Sequence, residues 1–205
     1  MVEGYVPFQS TRPSAPCSFL YPADWQIREI EQDESVEFFI AGPRSPTGTC
    51  AASFTVRVSP VSQEMLEDAA AAFLSRYRPA PGFSELGRAS GMVAGCPAVE
   101  VEITYRMPLP LNSINAQATT IRERHIFLRR GGQLYELLYM ALDEDYRTWL
   151  EAFRTLVRTF AFLEEPVGAT FQPLVTPSSQ ILREDAIGYE NDEGKSSEQS
   201  EHDHG

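Results

Sequence analysis

Hydrophobic and polar residues alternate without a break from Ala98 to Met107, read AVEVEITYRM. Val99, Val101, Ile103, Tyr105 and Met107 fall on one side, and Glu100, Glu102, Thr104 and Arg106 on the other. Period-two alternation predicts a strand of an antiparallel sheet with one covered and one wetter face, and this stretch is expected to be the central strand. A second alternating run, Cys50 to Val58, opposes Cys50, Ala52, Phe54, Val56 and Val58 to Ala51, Ser53, Thr55 and Arg57. Ala118–Leu128 and Leu134–Leu142 are apolar on both faces, and Arg130-Gly131-Gly132-Gln133 between them reads as a hairpin turn. Strands apolar on both faces imply helices on both sides of that part of the sheet.

Shorter extended pieces precede these. Gly4–Gln9, interrupted by Pro7, suits a sheet edge or an arm. Cys17 to Trp25 starts as a strand that Pro22 stops, and Trp25–Ile30 with Val36–Ile40 reads as a hairpin turning at Gln32, Asp33 and Glu34. Gly42–Gly48 is expected to be a turn, Phe83–Val93 a strand loosened by Gly87 and Gly91, and Pro108–Asn115 a loop.

Two stretches repeat at helical spacing. In the first, Ser62 is the expected N-cap and Pro79 the stop, with Met65, Leu66, Ala69, Ala70, Phe73, Leu74 and Tyr77 on one face. The second begins at Asp143 or Glu144 and carries Tyr146, Trp149, Leu150, Phe153, Leu156, Val157 and Phe160 along one stripe. Burying seven such side chains stabilises by something on the order of 10 kcal/mol before chain entropy is subtracted. The expected class is α+β: an antiparallel β-sheet of about six to seven strands sandwiched between helices, α/β/α.

Charge changes the picture at one end only. The formal net charge is −12. Residues 164–205 hold ten acids and two bases, leaving about −4 for residues 1–163. The chain therefore divides into a domain over 1–163 and an acidic tail over 164–205, expected to be largely disordered for want of hydrophobicity. Within the tail, residues 164–182 keep a few apolar side chains that could lie on the domain or on a partner. A near-neutral domain without a basic stripe argues against nucleic acid as a partner. The N-terminus has neither a basic segment nor an apolar one, so no signal peptide or transmembrane segment is expected and the reading is cytoplasmic.

Candidate chemistry is sparse. Cys17, Cys50 and Cys96 are odd in number and have no CxxC spacing, so buried inert thiols are expected, with neither a disulfide framework nor a zinc site. Glu100 and Glu102 share a strand face and could form an acid and base pair; cross-strand pairing with Arg122 and Arg124 is the simpler expectation. His125 is the one histidine before the tail, and it is expected to face away from those two acids. No nucleophile elbow or phosphate loop is present, and the tail run Glu201 to His204 is at most a weak metal ligand. No catalytic residue, metal or cofactor is assigned. Arg106, Arg122, Arg124, Arg129 and Arg130 are the one basic concentration, a candidate contact for an acidic partner or for the chain's own tail.

Four segments together resemble the PsbP-like family: FLYPADW at 19–25, VAGCPAVEVEITY at 93–105, GGQLYELLYMA at 131–141 and YRTWLEAFRTLVRTFAF at 146–162. The resemblance spans about residues 4–163. The family includes extrinsic subunits of photosystem II, a nuclear import factor that binds a small GTPase, bacterial lipoproteins of unassigned role and chaperones of secreted effectors. It implies a sheet between helices and a non-enzymatic binding or adaptor module whose partner is another protein, with the oligomeric state left open. The alternatives are a carrier of a small apolar ligand held between the sheet and the last helix and, last, a hydrolase using Glu100, Glu102 and His125.

Overall fold

Turn chemistry sets the registers in the computed structural model, which describes residues 4–44, 51–61, 65–111 and 113–163. Gln32 pairs with Ser35 across a two-residue turn, with Asp33 at a φ of 50°. That turn joins β3 (Gln26–Gln32) to β4 (Ser35–Arg44). The same device joins β6 (Ser84–Val93) to β7 (Cys96–Leu109) through Ala94 and Gly95. It joins β8 (Gln117–Arg130) to β9 (Gln133–Leu142) through Gly131 and Gly132, at φ 59° and 79°. In the last two turns both residues are left-handed, which matches the right-handed twist of the flanking strands.

With β5 (Ala51–Pro60), these strands make one seven-stranded antiparallel sheet in the order β3-β4-β5-β9-β8-β7-β6. The expected architecture is therefore present, with one change of position. The strand read as central, β7, stands next to the edge strand β6, and β9 lies in the middle. The hairpin after β7 is also tighter than expected. Pro108 and Leu109 pair with Ala118 and Gln117, so two residues assigned to the loop belong to the strand.

Opposite residues of an antiparallel pair share a face, so the register sorts the core. Val99, Val101, Ile103 and Phe127 pack under helix α1 (Leu66–Tyr77) through Ala70, Phe73 and Leu74. Phe38, Ile40, Phe54, Val56, Leu137, Tyr139 and Leu128 point the other way, towards helix α2 (Tyr146–Thr159) and its Phe153 and Leu156. Both helices start later than the sequence suggests. The N-cap of α1 is Met65, whose N–H donates to Asp68 Oδ2 at 3.3 Å, and that of α2 is Asp145. Ser62, the expected cap, lies outside the described residues, as do Cys50 and the whole of 164–205.

A second sheet had no expectation behind it. β1 (Tyr5–Gln9), β2 (Cys17–Pro22) and β10 (Ala161–Phe162) pair in the order β1-β2-β10. Leu20 N–H donates to Thr159 Oγ1 at 3.0 Å, which ties β2 to the end of α2. Cys17 and Phe19 of β2 enter the same core as Phe54 and Phe153. No described helix is long and apolar enough to cross a membrane.

Candidate functional site

The α1 face of the sheet carries one row of polar side chains among apolar neighbours. Glu37 on β4, Arg57 on β5 and Glu136 on β9 are successive register partners. Glu123 and His125, two apart on β8, necessarily point to the same face. The rows converge on the imidazole. His125 Nδ1 lies 2.7 Å from Glu136 Oε1, and Nε2 lies 2.9 Å from Glu123 Oε2. Arg57 donates to the other oxygen of Glu136 at 2.8 Å and to Glu37 at 3.0 Å and 3.1 Å. Tyr105 donates its hydroxyl proton to Glu123 Oε1 at 2.8 Å, and Tyr77 of α1 is a further hydrogen-bond partner of Glu123.

The centre of this cluster is buried, while Arg57 reaches solvent. His125, Glu123 and Glu136 are 1%, 2% and 7% exposed. The Phe73 ring of α1 sits 3.9 Å from the imidazole, centroid to centroid. Each ring nitrogen lies within hydrogen-bond distance of a carboxylate, an arrangement that favours the doubly protonated ring, with both nitrogens donating. Burial by itself lowers the His125 pKa, but the hydrogen bonds and charges of Glu123 and Glu136 outweigh it and the net shift is upward. Burial likewise raises Glu136, yet the hydrogen bond and charge of His125 and the charge of Arg57 bring it below the usual carboxylate value. Burial first, then Glu123, pushes the Tyr77 phenol upward. A histidine between two carboxylates has the parts for proton transfer. Enclosed beneath Phe73, it also ties β8 to β9 through Glu136, and Glu123 ties it to Tyr105 of β7 and Tyr77 of α1.

The opposite face holds a second charged group, where the paired glutamates lie. Glu102 accepts from both Arg122 and Arg124, the latter at 2.6 Å, and Arg124 also approaches Glu100 at 3.5 Å. The Arg122 guanidinium stacks 4.4 Å over the Tyr146 ring and reaches Asp143 at 3.4 Å. Glu102 was expected on the wetter face and is 8% exposed, covered by the guanidiniums that pair with it. Burial opposes its ionisation, but the two arginines hold its pKa below the usual value.

Glu100 and Glu102 therefore do face away from His125, and the hydrolase constellation is not brought together. The five arginines also divide. Arg106, Arg122 and Arg124 share the α2 face, Arg129 lies on the α1 face, and Arg130, at the β8–β9 turn, stacks 4.6 Å from the Phe162 ring. Glu123, between Arg122 and Arg124 in sequence, serves His125. Between the sheet and α2, where a small ligand would sit, the rings of Phe54, Tyr139 and Phe153 pack 5.4–5.6 Å apart. Cys17 is buried, which pushes its thiol up to about 12. Among the described residues no group of three His, Cys, Asp or Glu could hold a metal. The run Glu201 to His204 lies outside them.

Sequence reasoning missed Glu136 and Glu123 as partners of His125, and Tyr105, Arg57 and Glu37 as the groups bonded in turn to them. The available signal was a lone charge in each of several apolar strands, such as Glu136 in LYELLYM and Glu37 in SVEFFI. A charge buried on a sheet face needs a partner on the next strand.

The arrangement of strands and helices recurs in solved structures. A protein of unknown function from Pseudomonas aeruginosa, PA94, matches with a TM-score of 0.52 at 16% identity, over 79% of this chain and 98% of that one. LpqN, involved in cell envelope biogenesis of Mycobacterium tuberculosis, matches at 0.53 and 16% identity, over 78% and 91%. Cyanobacterial PsbP (CyanoP) from Synechocystis sp. PCC 6803 matches at 0.50 and 13% identity, over 79% and 94%. The chain has the PsbP-like fold. No family model matches the sequence, and no curated protein matches it either. At these identities the likeness concerns the PsbP-like architecture and leaves the chemistry to the residues.

Proposed function

We propose that this chain is a non-enzymatic binding module of PsbP-like fold whose partner is another protein, with residues 1–163 as the module and 164–205 as an acidic extension. The observation that carries the reading is the closure of the His125 cluster. Its imidazole and both carboxylates are buried and engaged with one another and with Arg57, Tyr105 and Tyr77. The filled interface between sheet and α2 weighs against the carrier alternative in the same way. What the domain offers to the outside is surface, and among the described residues Met65 and Met92 are the most accessible apolar side chains outside the β7–β8 loop.

The test is chemical cross-linking of the full chain in native cell extract, followed by native mass spectrometry of the purified protein. A protein cross-linked in stoichiometric amount supports the module. A retained small molecule that an apolar competitor displaces, with no stoichiometric protein, overturns it in favour of the carrier.

A further inference from the structure

The two helices are held to the sheet on unequal terms. Phe153 and Leu156 of α2 share one core with Phe19 of β2 and with Phe38, Phe54 and Tyr139 of the large sheet, and no α1 residue belongs to that core. α1 rests on a separate, smaller cluster, where it buries Ala70, Phe73 and Leu74 against Val99, Val101, Ile103 and Phe127. A helix seated on a small cluster of its own can leave the sheet while the larger core stays intact. That is the condition for an opening that falls short of global unfolding.

Beneath that helix lies the buried charge. Phe73 covers the His125 imidazole, and Tyr77 reaches Glu123. Titratable and charged groups face the ring from each neighbouring element. Glu123 lies on β8 itself, Glu136 on β9 with Arg57 of β5 and Glu37 of β4 behind it, Tyr105 on β7, and Tyr77 with the exposed Arg76 on α1. The doubly protonated ring donates to both carboxylates, at 2.7 Å and 2.9 Å. A neutral ring has one N–H, so in either tautomer its other nitrogen turns a lone pair on a carboxylate oxygen at that distance. Arg57 continues to match Glu136. Glu123, on the other side of the ring, is then an anion held by the hydroxyls of Tyr105 and Tyr77 under an apolar helix, and a buried charge of that kind favours hydration. Moving α1 supplies the water.

We infer that α1 is a lid whose opening is set by the proton on His125: the doubly protonated ring holds the helix down, and loss of that proton frees it from β7 and β8 while the α2 side of the fold stays assembled. Closed is the resident state. Opening is a minor excursion that uncovers Val99, Val101, Ile103 and Phe127. Contact with the two carboxylates raises the ring's pKa in the closed state, so opening releases a proton between the ordinary histidine value and the closed-state value. The lid therefore opens more often as pH rises through that window. It goes beyond the binding-module reading and does not depend on it.

The experiment is amide hydrogen exchange of the full chain, read by mass spectrometry from about pH 6 to about pH 9, below the range where tyrosines ordinarily titrate. Each rate is divided by the intrinsic rate at that pH, so that it reports how often a segment opens. The central amides of α1 are expected to open at least about tenfold more often than those of α2. Their opening should rise about tenfold per pH unit above the histidine value and level off once the closed-state ring has lost its proton. The levelling pH must match the titration of His125 read from its ring resonances. His125→Gln opens α1 at low pH as often as the wild type does at high pH, and the slope disappears. Because that variant is destabilised as a whole, Tyr77→Phe supplies a second reading. It removes the phenol hydroxyl from Glu123, keeps the imidazole, and opens α1 about several-fold more often with the slope retained. Corrected rates that coincide in α1 and α2 at every pH mean that α1 leaves only with the whole fold, and they overturn the lid. So does α1 opening that is independent of pH, or a Tyr77→Phe chain whose α1 exchanges as in the wild type.

Discussion

Replacing His125 by Gln is the most direct perturbation of the His125 cluster. The side chain keeps some hydrogen-bonding capacity but removes the positive charge between two carboxylates that are 2% and 7% exposed. At an effective dielectric of about 20, each contact near 3–4 Å carries roughly 4–5 kcal/mol of Coulomb attraction, much of it offset by the cost of burying the ions. Breaking such a set by removing one partner costs about 3–5 kcal/mol, because the remaining charges stay buried and unmatched. For a domain of this size that lowers the thermal midpoint by roughly 6–20 °C. The sign with pH follows from linkage. The His125 pKa is raised on folding, so its contribution is complete below the unfolded value and is lost as pH rises through the folded value. The Glu136 pKa is depressed, so its contribution is present above the unfolded value and is lost as pH falls through the folded one. Urea unfolding read by the fluorescence of Trp25 and Trp149 at a series of pH values measures both effects. The wild type should be most stable between the two limits. The gap to His125→Gln should be widest there, narrowing on the alkaline side as the wild-type ring loses its proton and on the acid side as the variant's carboxylates take one up. A variant within about 1 kcal/mol of wild type at neutral pH, or a gap independent of pH, would refute a doubly protonated ring at the centre of the cluster.

Three further outcomes follow from other parts of the molecule. A Cβ at Gly42 would meet the Trp25 indole at 2.6 Å, so Gly42→Ala should cost about 1–3 kcal/mol and change the Trp25 emission, both seen in the same urea titration. Glu102→Ala leaves Arg122 and Arg124 facing each other and should cost about 1–3 kcal/mol at neutral pH. Because the Glu102 pKa is depressed on folding, that difference should shrink as pH falls through its folded value. Cys17, whose thiol is pushed up to about 12, should react with an aromatic disulfide reagent far more slowly than the half-buried Cys96 in native protein, and mass spectrometry of the labelled peptides ranks the two.

The fold was legible where periodicity is strong and turn chemistry is local. AVEVEITYRM, the Gly131-Gly132 hairpin and the stripe from Tyr146 to Phe160 announce strand, turn and helix with no other information, and each is present. Local pattern does not state which strands become neighbours. The most regular alternation was taken for the centre of the sheet and proved to be next to its edge, because alternation reports how differently two faces are covered and says nothing of position within the order. The small sheet was missed for a related reason. Ala161 and Phe162 look like the end of a helical stripe, and only their pairing with Ser18 and Cys17, some 140 residues earlier in the chain, makes them a strand.

The site divides along the same line. The sequence by itself determined that Glu100 and Glu102 share one face of β7 and that His125 is opposed to Arg122 and Arg124 on β8, since parity within a strand is a property of spacing alone. The register of the β7–β8 hairpin then put the acids opposite those arginines and away from His125. Only the tertiary structure decided that His125 is held between Glu123 and Glu136 beneath Phe73, and that β6 ends the sheet with no described strand beyond it. Both depend on strand order and on where α1 comes to rest. Those are set by which faces can be buried together across the whole chain, a sum of many weak contacts that no single stretch of sequence contains.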